Sequence, residues 1–107
     1  MFKPGKPVHP ASGIGTAPDA ATTPEGAVIS FDRGPNSAKA LTIQIILTNL
    51  EPTAGNNLEV SFADGKNGTF FVVLPRTTIY FDITIHRCRL RGASGGTAAY
   101  SIMGIVA

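Results

Sequence analysis

The feature that most constrains this chain is the stretch Thr77–Gly92, TTIYFDITIHRCRLRG, where a two-residue hydrophobic period changes phase part-way. Ile79, Phe81, Ile83 and Ile85 share one parity; Tyr80, Asp82, Thr84 and His86 share the other. Alternation at this period marks a strand with one buried face and one face toward something polar. Past His86 the phase reverses. Cys88 and Leu90 become the apolar positions, and Arg87, Arg89 and Arg91 take the former core parity. A slip of one residue comes from a β-bulge or from a change of sheet. Fully extended, the stretch would run roughly 50 Å at about 3.3 Å per residue, longer than most strands, which predicts a bend near His86. It reads as the central bent strand of an antiparallel sandwich.

The rest of the body repeats this logic. Ala27 to Asp32 reads as a short strand with Val28 and Phe31 inward, closed by a turn over Arg33-Gly34-Pro35-Asn36-Ser37. In Lys39 to Leu50, helical spacing of Ile43, Ile46, Leu47 and Leu50 competes with alternation of Leu41, Ile43, Ile45 and Leu47. Five of the seven residues from Thr42 to Thr48 are β-branched, so strand prevails. Leu58, Val60 and Phe62 form another half-buried strand, followed by the hairpin chemistry of Asp64-Gly65-Lys66-Asn67-Gly68. Thr69 to Leu74 returns with Phe70 and Phe71 on opposite faces, which predicts contact with the arm or with a second subunit. Pro75-Arg76 turns the chain, Gly92 to Gly96 is a loose loop, and Thr97 to Val106 is a last strand with small and medium residues on both faces. The expectation is an all-β fold: an antiparallel β-sandwich or jelly roll of six to seven strands with an extended N-terminal arm.

That arm is residues 1–25, and the body is residues 26–107. The arm holds five of the eight prolines and three glycines, with Met1, Phe2, Val8 and Ile14 as its only bulky apolar residues. No regular element is expected there; extended, partly polyproline-like chain is. Such a segment suits a grip on a neighbouring subunit through Phe2, Val8 and Ile14. Phe71, on its doubly apolar strand, is a fourth candidate for protein contact.

At 107 residues the chain has the length of one domain and enough sequence for one core. Its single cysteine, Cys88, cannot form an intrachain disulfide. A net charge of +2, with 15% charged residues, is far from the composition of a nucleic-acid binder. Pro4, Pro7 and Pro10 interrupt any signal-like run after Met1, and the longest bulky apolar run, Phe70 to Leu74, is far short of a membrane span. Neither nucleic acid nor membrane is expected as a partner.

Little in the sequence suggests chemistry. Asp82, His86 and Cys88 lie on one strand, but residues two apart stand roughly 6.5 Å from each other, too far for a thiol–imidazole pair. His9, His86 and Cys88 are the only nitrogen and sulfur ligand candidates, short of the paired ligands a structural zinc takes. The expectation is no enzyme, no metal and no cofactor. Arg87, Arg89 and Arg91 line about 13 Å of one strand face. They suit a solvated face, an edge strand guarded by charge, or an acidic protein surface; nucleic acid is disfavoured because no aromatic residues interleave with them.

The succession of motifs resembles small β-sandwich structural proteins of tailed-phage virions. The pieces that carry the resemblance are Asn57-Leu58-Glu59-Val60-Ser61-Phe62 with Asp64-Gly65, then Leu74-Pro75 and Phe81-Asp82-Ile83. Leu90-Arg91-Gly92-Ala93-Ser94-Gly95 and Ala99-Tyr100-Ser101-Ile102 complete it, over residues 41–107. The resemblance implies a non-enzymatic head decoration (cement) protein in the virion. Such a protein binds the major capsid protein or another virion protein and is itself a homo-oligomer, with a trimer favoured. A ring-forming tail or neck subunit is the alternative. A carbohydrate-binding module is poorly supplied, with Tyr80 and Tyr100 the only tyrosines and no tryptophan.

Overall fold

The computed structural model describes residues 6–8, 13–31, 42–63 and 69–106. Among them are nine strands and no helix. The strands are β1 (Lys6–Val8), β2 (Ile14–Ala17), β3 (Ala27–Ser30), β4 (Thr42–Asn49) and β5 (Leu58–Ser61), then β6 (Phe71–Val73), β7 (Thr78–Phe81), β8 (Arg87–Gly92) and β9 (Ala98–Val106).

The pairing is that of one long antiparallel ribbon rolled on itself. The first half of the ribbon, β2 to β5, runs against the second half in reverse order: β2 pairs β9, β3 pairs β8, β4 pairs β7 and β5 pairs β6. Rolling adds two further pairings, β4 with β9 and β5 with β8. Two packed antiparallel sheets result. One runs β9-β4-β7, with β1 and β2 sharing the outer edge of β9; the other runs β3-β8-β5-β6.

The phase change in Thr77–Gly92 is the passage of the ribbon from one sheet to the other. β7 lies in the first sheet with Ile79 and Phe81 packed against the core, and residues 82–86 cross over. β8 lies in the second sheet with Cys88 and Leu90 buried. Thr42 Oγ1 ties the crossover down, donating to Ile83 O at 2.7 Å, while the Thr42 amide donates to Ile85 O at 2.8 Å. One expectation is corrected here. Only β8 is central in its sheet, whereas β7 is an edge strand, because strand order depends on pairings far apart in sequence.

The core is supplied by both layers. Ile45, Leu47, Ala98 and Ile102 face Leu58, Val60, Val73, Cys88 and Leu90, with Phe31 and Ala17 at the margins, each exposed by 2% or less. At roughly 1.5–3 kcal/mol per large side chain buried, this cluster dominates the stability. Phe31 fits because Gly104 lies under its ring; a Cβ there would stand 2.7 Å from Phe31 Cδ1. Tyr100 sits over Gly15 in the same way, with the phenol oxygen 2.8 Å from a would-be Cβ.

The other corrections are local. The six to seven strands become nine. Within residues 1–25, where no regular element was expected, Lys6–Val8 and Ile14–Ala17 pair with β9. Long-range pairing supplies what local composition lacks: Ala17 enters the core, Gly15 accommodates Tyr100, and the Gly13 carbonyl accepts from Ile102 N at 2.9 Å. Val28 is exposed rather than inward, since it opposes Arg89 on the outer face of β8. Ile43 is exposed because a bulge between Thr42 and Gln44 shifts the register there, and Thr42 is buried instead. On Thr69–Leu74 the described residues bury Val73 alone and leave Phe71, Val72 and Leu74 exposed. The turns expected over residues 33–37 and 64–68 lie outside the described residues.

Candidate docking interface

One flank of the sandwich is closed and the other is open. On the closed side, residues 18–20 run beside β8: the Gly92 amide donates to Pro18 O at 2.7 Å, and the Ala20 amide donates to Gly92 O at 3.0 Å. On the open side, the edge strands β6 and β7 face each other across the layers as an arch. Its turn is Pro75-Arg76, where Arg76 takes a left-handed φ of 58° and its amide donates to Asn49 O at 3.0 Å.

Buried Asn49 locks the base of this arch. Its Nδ2 donates to Val73 O at 2.9 Å and to Asn56 O at 3.0 Å, while its Oδ1 accepts from the Glu51 amide at 2.9 Å. A side chain from β4 thereby holds β6 of the opposite sheet. At the other end of the arch three rings meet. Phe62 and Phe81 are edge-to-face at 4.9 Å between centroids, and Phe71 lies 6.0 Å from Phe62 and 6.4 Å from Phe81. Phe71 points to the core side of its sheet yet remains 51% exposed, because no strand among the described residues lies beyond β6. Tyr80 is 63% exposed on the outer face of β7.

The residues expected to make contacts do not gather here. Phe71 is at the open flank. Ile14 is exposed on β2, at the far edge of the first sheet from β7. Phe2 lies outside the described residues, and Val8 is the last residue of β1. Arg87, Arg89 and Arg91 alternate on β8 with the buried Cys88, Leu90 and Gly92, and all three are half-buried. β8 lies inside its sheet, so its arginines do not guard an edge. Arg91 is engaged within the chain: Nε donates to Glu59 Oε1 at 2.6 Å, the guanidinium lies 3.6 Å above the Phe70 ring, and Nη1 donates to the Pro24 carbonyl. Glu59 is its cross-strand neighbour.

Sequence reading missed the flank as a whole, Tyr80, Leu74 and the ring cluster included. A signal was present: neither Phe71–Val73 nor Thr78–Phe81 contains a charge or a proline, the usual guards of an exposed edge.

The residues considered for chemistry are placed as follows. Asp82 is exposed and accepts from Gln44 Nε2 at 3.1 Å. The His86 carbonyl accepts from the Phe31 amide at 2.8 Å. Cys88 is in the core, and burial pushes its thiol up to about 12, so no reactive thiolate forms near neutral pH. Among the described residues no group of three or more His, Cys, Asp or Glu could hold a metal ion. His9 lies outside them.

No protein-family model matches the chain, and no curated protein or solved structure matches it.

Proposed function

We propose that the chain is a non-enzymatic structural protein of a tailed-phage virion, with a head decoration protein as the specific reading. It acts by binding the major capsid protein or another virion protein, and its place of action is the particle. The observation that carries this reading is the strand order, β2-β9-β4-β7 over β3-β8-β5-β6. That order is a jelly roll, an architecture used by viral capsid proteins and also by lectins and cupins. Because fold alone does not assign function, the sequence resemblance over residues 41–107 chooses among these. The exposed apolar side chains gathered at the open flank, Phe71, Val72, Leu74 and Tyr80, support an assembly role.

The experiment is quantitative mass spectrometry of gradient-purified particles made by the genome that encodes the chain. The proposal expects peptides of this chain at a copy number comparable with, or a fixed fraction of, that of the major capsid protein. A copy number of about a dozen or fewer moves the assignment to a tail or neck ring. Absence from purified particles overturns the virion reading.

A further inference from the structure

The open flank has an asymmetry that becomes a complementarity when the chain meets itself. β7 is bounded by a cation on one side and an anion on the other: Arg76 two residues before Thr78, and Asp82 directly after Phe81. Both are exposed. The two charges are equidistant in sequence from Ile79, three residues each way. Between them, Thr78–Phe81 carries no charge, no proline and no bulge, and among the described residues it has a hydrogen-bonded neighbour strand only on the β4 side.

We infer that the β7 edge pairs with the β7 edge of a second copy of this chain, antiparallel about Ile79, so that each Arg76 meets Asp82 of the other copy. In an antiparallel pair, residues whose numbers sum to a constant lie opposite one another. A two-fold axis at Ile79 therefore sets Ile79 beside Ile79 on the core face and Tyr80 beside Thr78 on the outer face. The same axis brings Arg76 within reach of Asp82 at both ends. A parallel pairing would instead place like charges together. An isologous contact of this kind is self-limiting, because it uses up the edge that forms it.

The second layer joins in the same operation. The axis that relates the two β7 strands also brings the two β6 edges toward one another, where Phe71, Val72 and Leu74 are 51%, 48% and 59% exposed. With Tyr80, these side chains offer on the order of 400 Å² of apolar surface, about half of the ~800 Å² each partner contributes to a standard interface. Backbone edge and flanking polar residues supply the remainder. The inference deepens the assembly reading of the flank and does not depend on the virion placement. It favours a two-fold contact where the family resemblance implied a trimer.

The test is the solution mass of the full chain by sedimentation equilibrium over a concentration series, at low salt and in about 1 M salt, with three variants. The account expects a monomer–dimer equilibrium between 11.1 kDa and twice that mass. Arg76→Asp alone and Asp82→Arg alone should each raise the dissociation constant roughly tenfold, because two opposite-charge contacts become like-charge contacts. The double variant R76D/D82R restores the opposite pairs and should return the constant to within about threefold of the parent. Both positions are exposed, and far-UV circular dichroism confirms that each variant is folded. A chain that stays monomeric at its highest soluble concentration overturns the inference, and so does a trimer. A dimer equally sensitive to both single changes and not recovered by the double change also overturns it. These outcomes are independent of whether the chain is found in particles, so failure here leaves the virion reading standing.

Discussion

Replacing Asn49 by alanine tests what holds the two layers in register at the open flank. Its side chain is fully buried and makes three hydrogen bonds, two donated to the carbonyls of Val73 and Asn56 and one accepted from the Glu51 amide. The contact with Val73 is buried, and the other two are partly accessible. Losing the buried partner leaves a carbonyl short of a donor, costing about 2 kcal/mol, and the two wetter contacts cost about 1 kcal/mol each. The expected loss is roughly 4 kcal/mol, a large share of the ~5–15 kcal/mol that stabilises a domain. With a urea dependence of about 1.5 kcal/mol per molar, the midpoint should fall by roughly 2.5 M. Urea unfolding followed by circular dichroism reads this directly. Aspartate at the same position keeps the shape but replaces both donors with acceptors aimed at carbonyls. Its carboxyl would be harder to ionise folded than unfolded, so the ionisation penalty should be absent below the unfolded carboxyl range, grow as pH rises through it, and be full only above the raised folded value. A loss below about 1 kcal/mol for Asn49→Ala would show that water replaces the side chain and that the arch does not depend on it.

Two further outcomes follow from the core. Burial raises the folded Cys88 thiol to about 12 from near 9, so its contribution is fully present below pH 9 and is lost as pH rises toward 12. Wild-type stability should therefore fall relative to Cys88→Ala across that window, by up to about 1.4 kcal/mol per pH unit, and native Cys88 should resist thiol reagents at pH 8 until urea is added. Gly104→Ala should cost about 1–3 kcal/mol in the same urea assay, because the new methyl would stand 2.7 Å from Phe31 Cδ1 and 3.1 Å from Thr42 Cγ2; a neutral result would mean that Phe31 has room to move.

The all-β class and the bend near His86 were legible in the sequence because each follows from burial along a single strand. The phase change between Ile85 and Cys88 records which layer each half of that stretch faces, and alternation carries this locally. What was not legible depends on partners distant in sequence. Ile14–Ala17 has no strand signature of its own and becomes a strand because β9 offers it an edge and Tyr100 needs a glycine beneath it. Ile43 continues the alternation of its neighbours but is exposed, because a bulge sits there. Arg91 reads as a free charge until the β5–β8 register sets Glu59 beside it. The exposure of Phe71 is of the same kind: its strand is apolar on both sides, and only the strand order shows that no described strand lies beyond it.

Amide hydrogen exchange of the full chain, compared between dilute and concentrated samples, tests most directly whether the open flank is an assembly contact. The account predicts added protection on concentration confined to outward-facing amides of Thr78–Phe81, with a smaller effect in Phe71–Val73. Protection that is unchanged by concentration, or that appears at Ala27–Ser30 and Ile14–Ala17 instead, would contradict it.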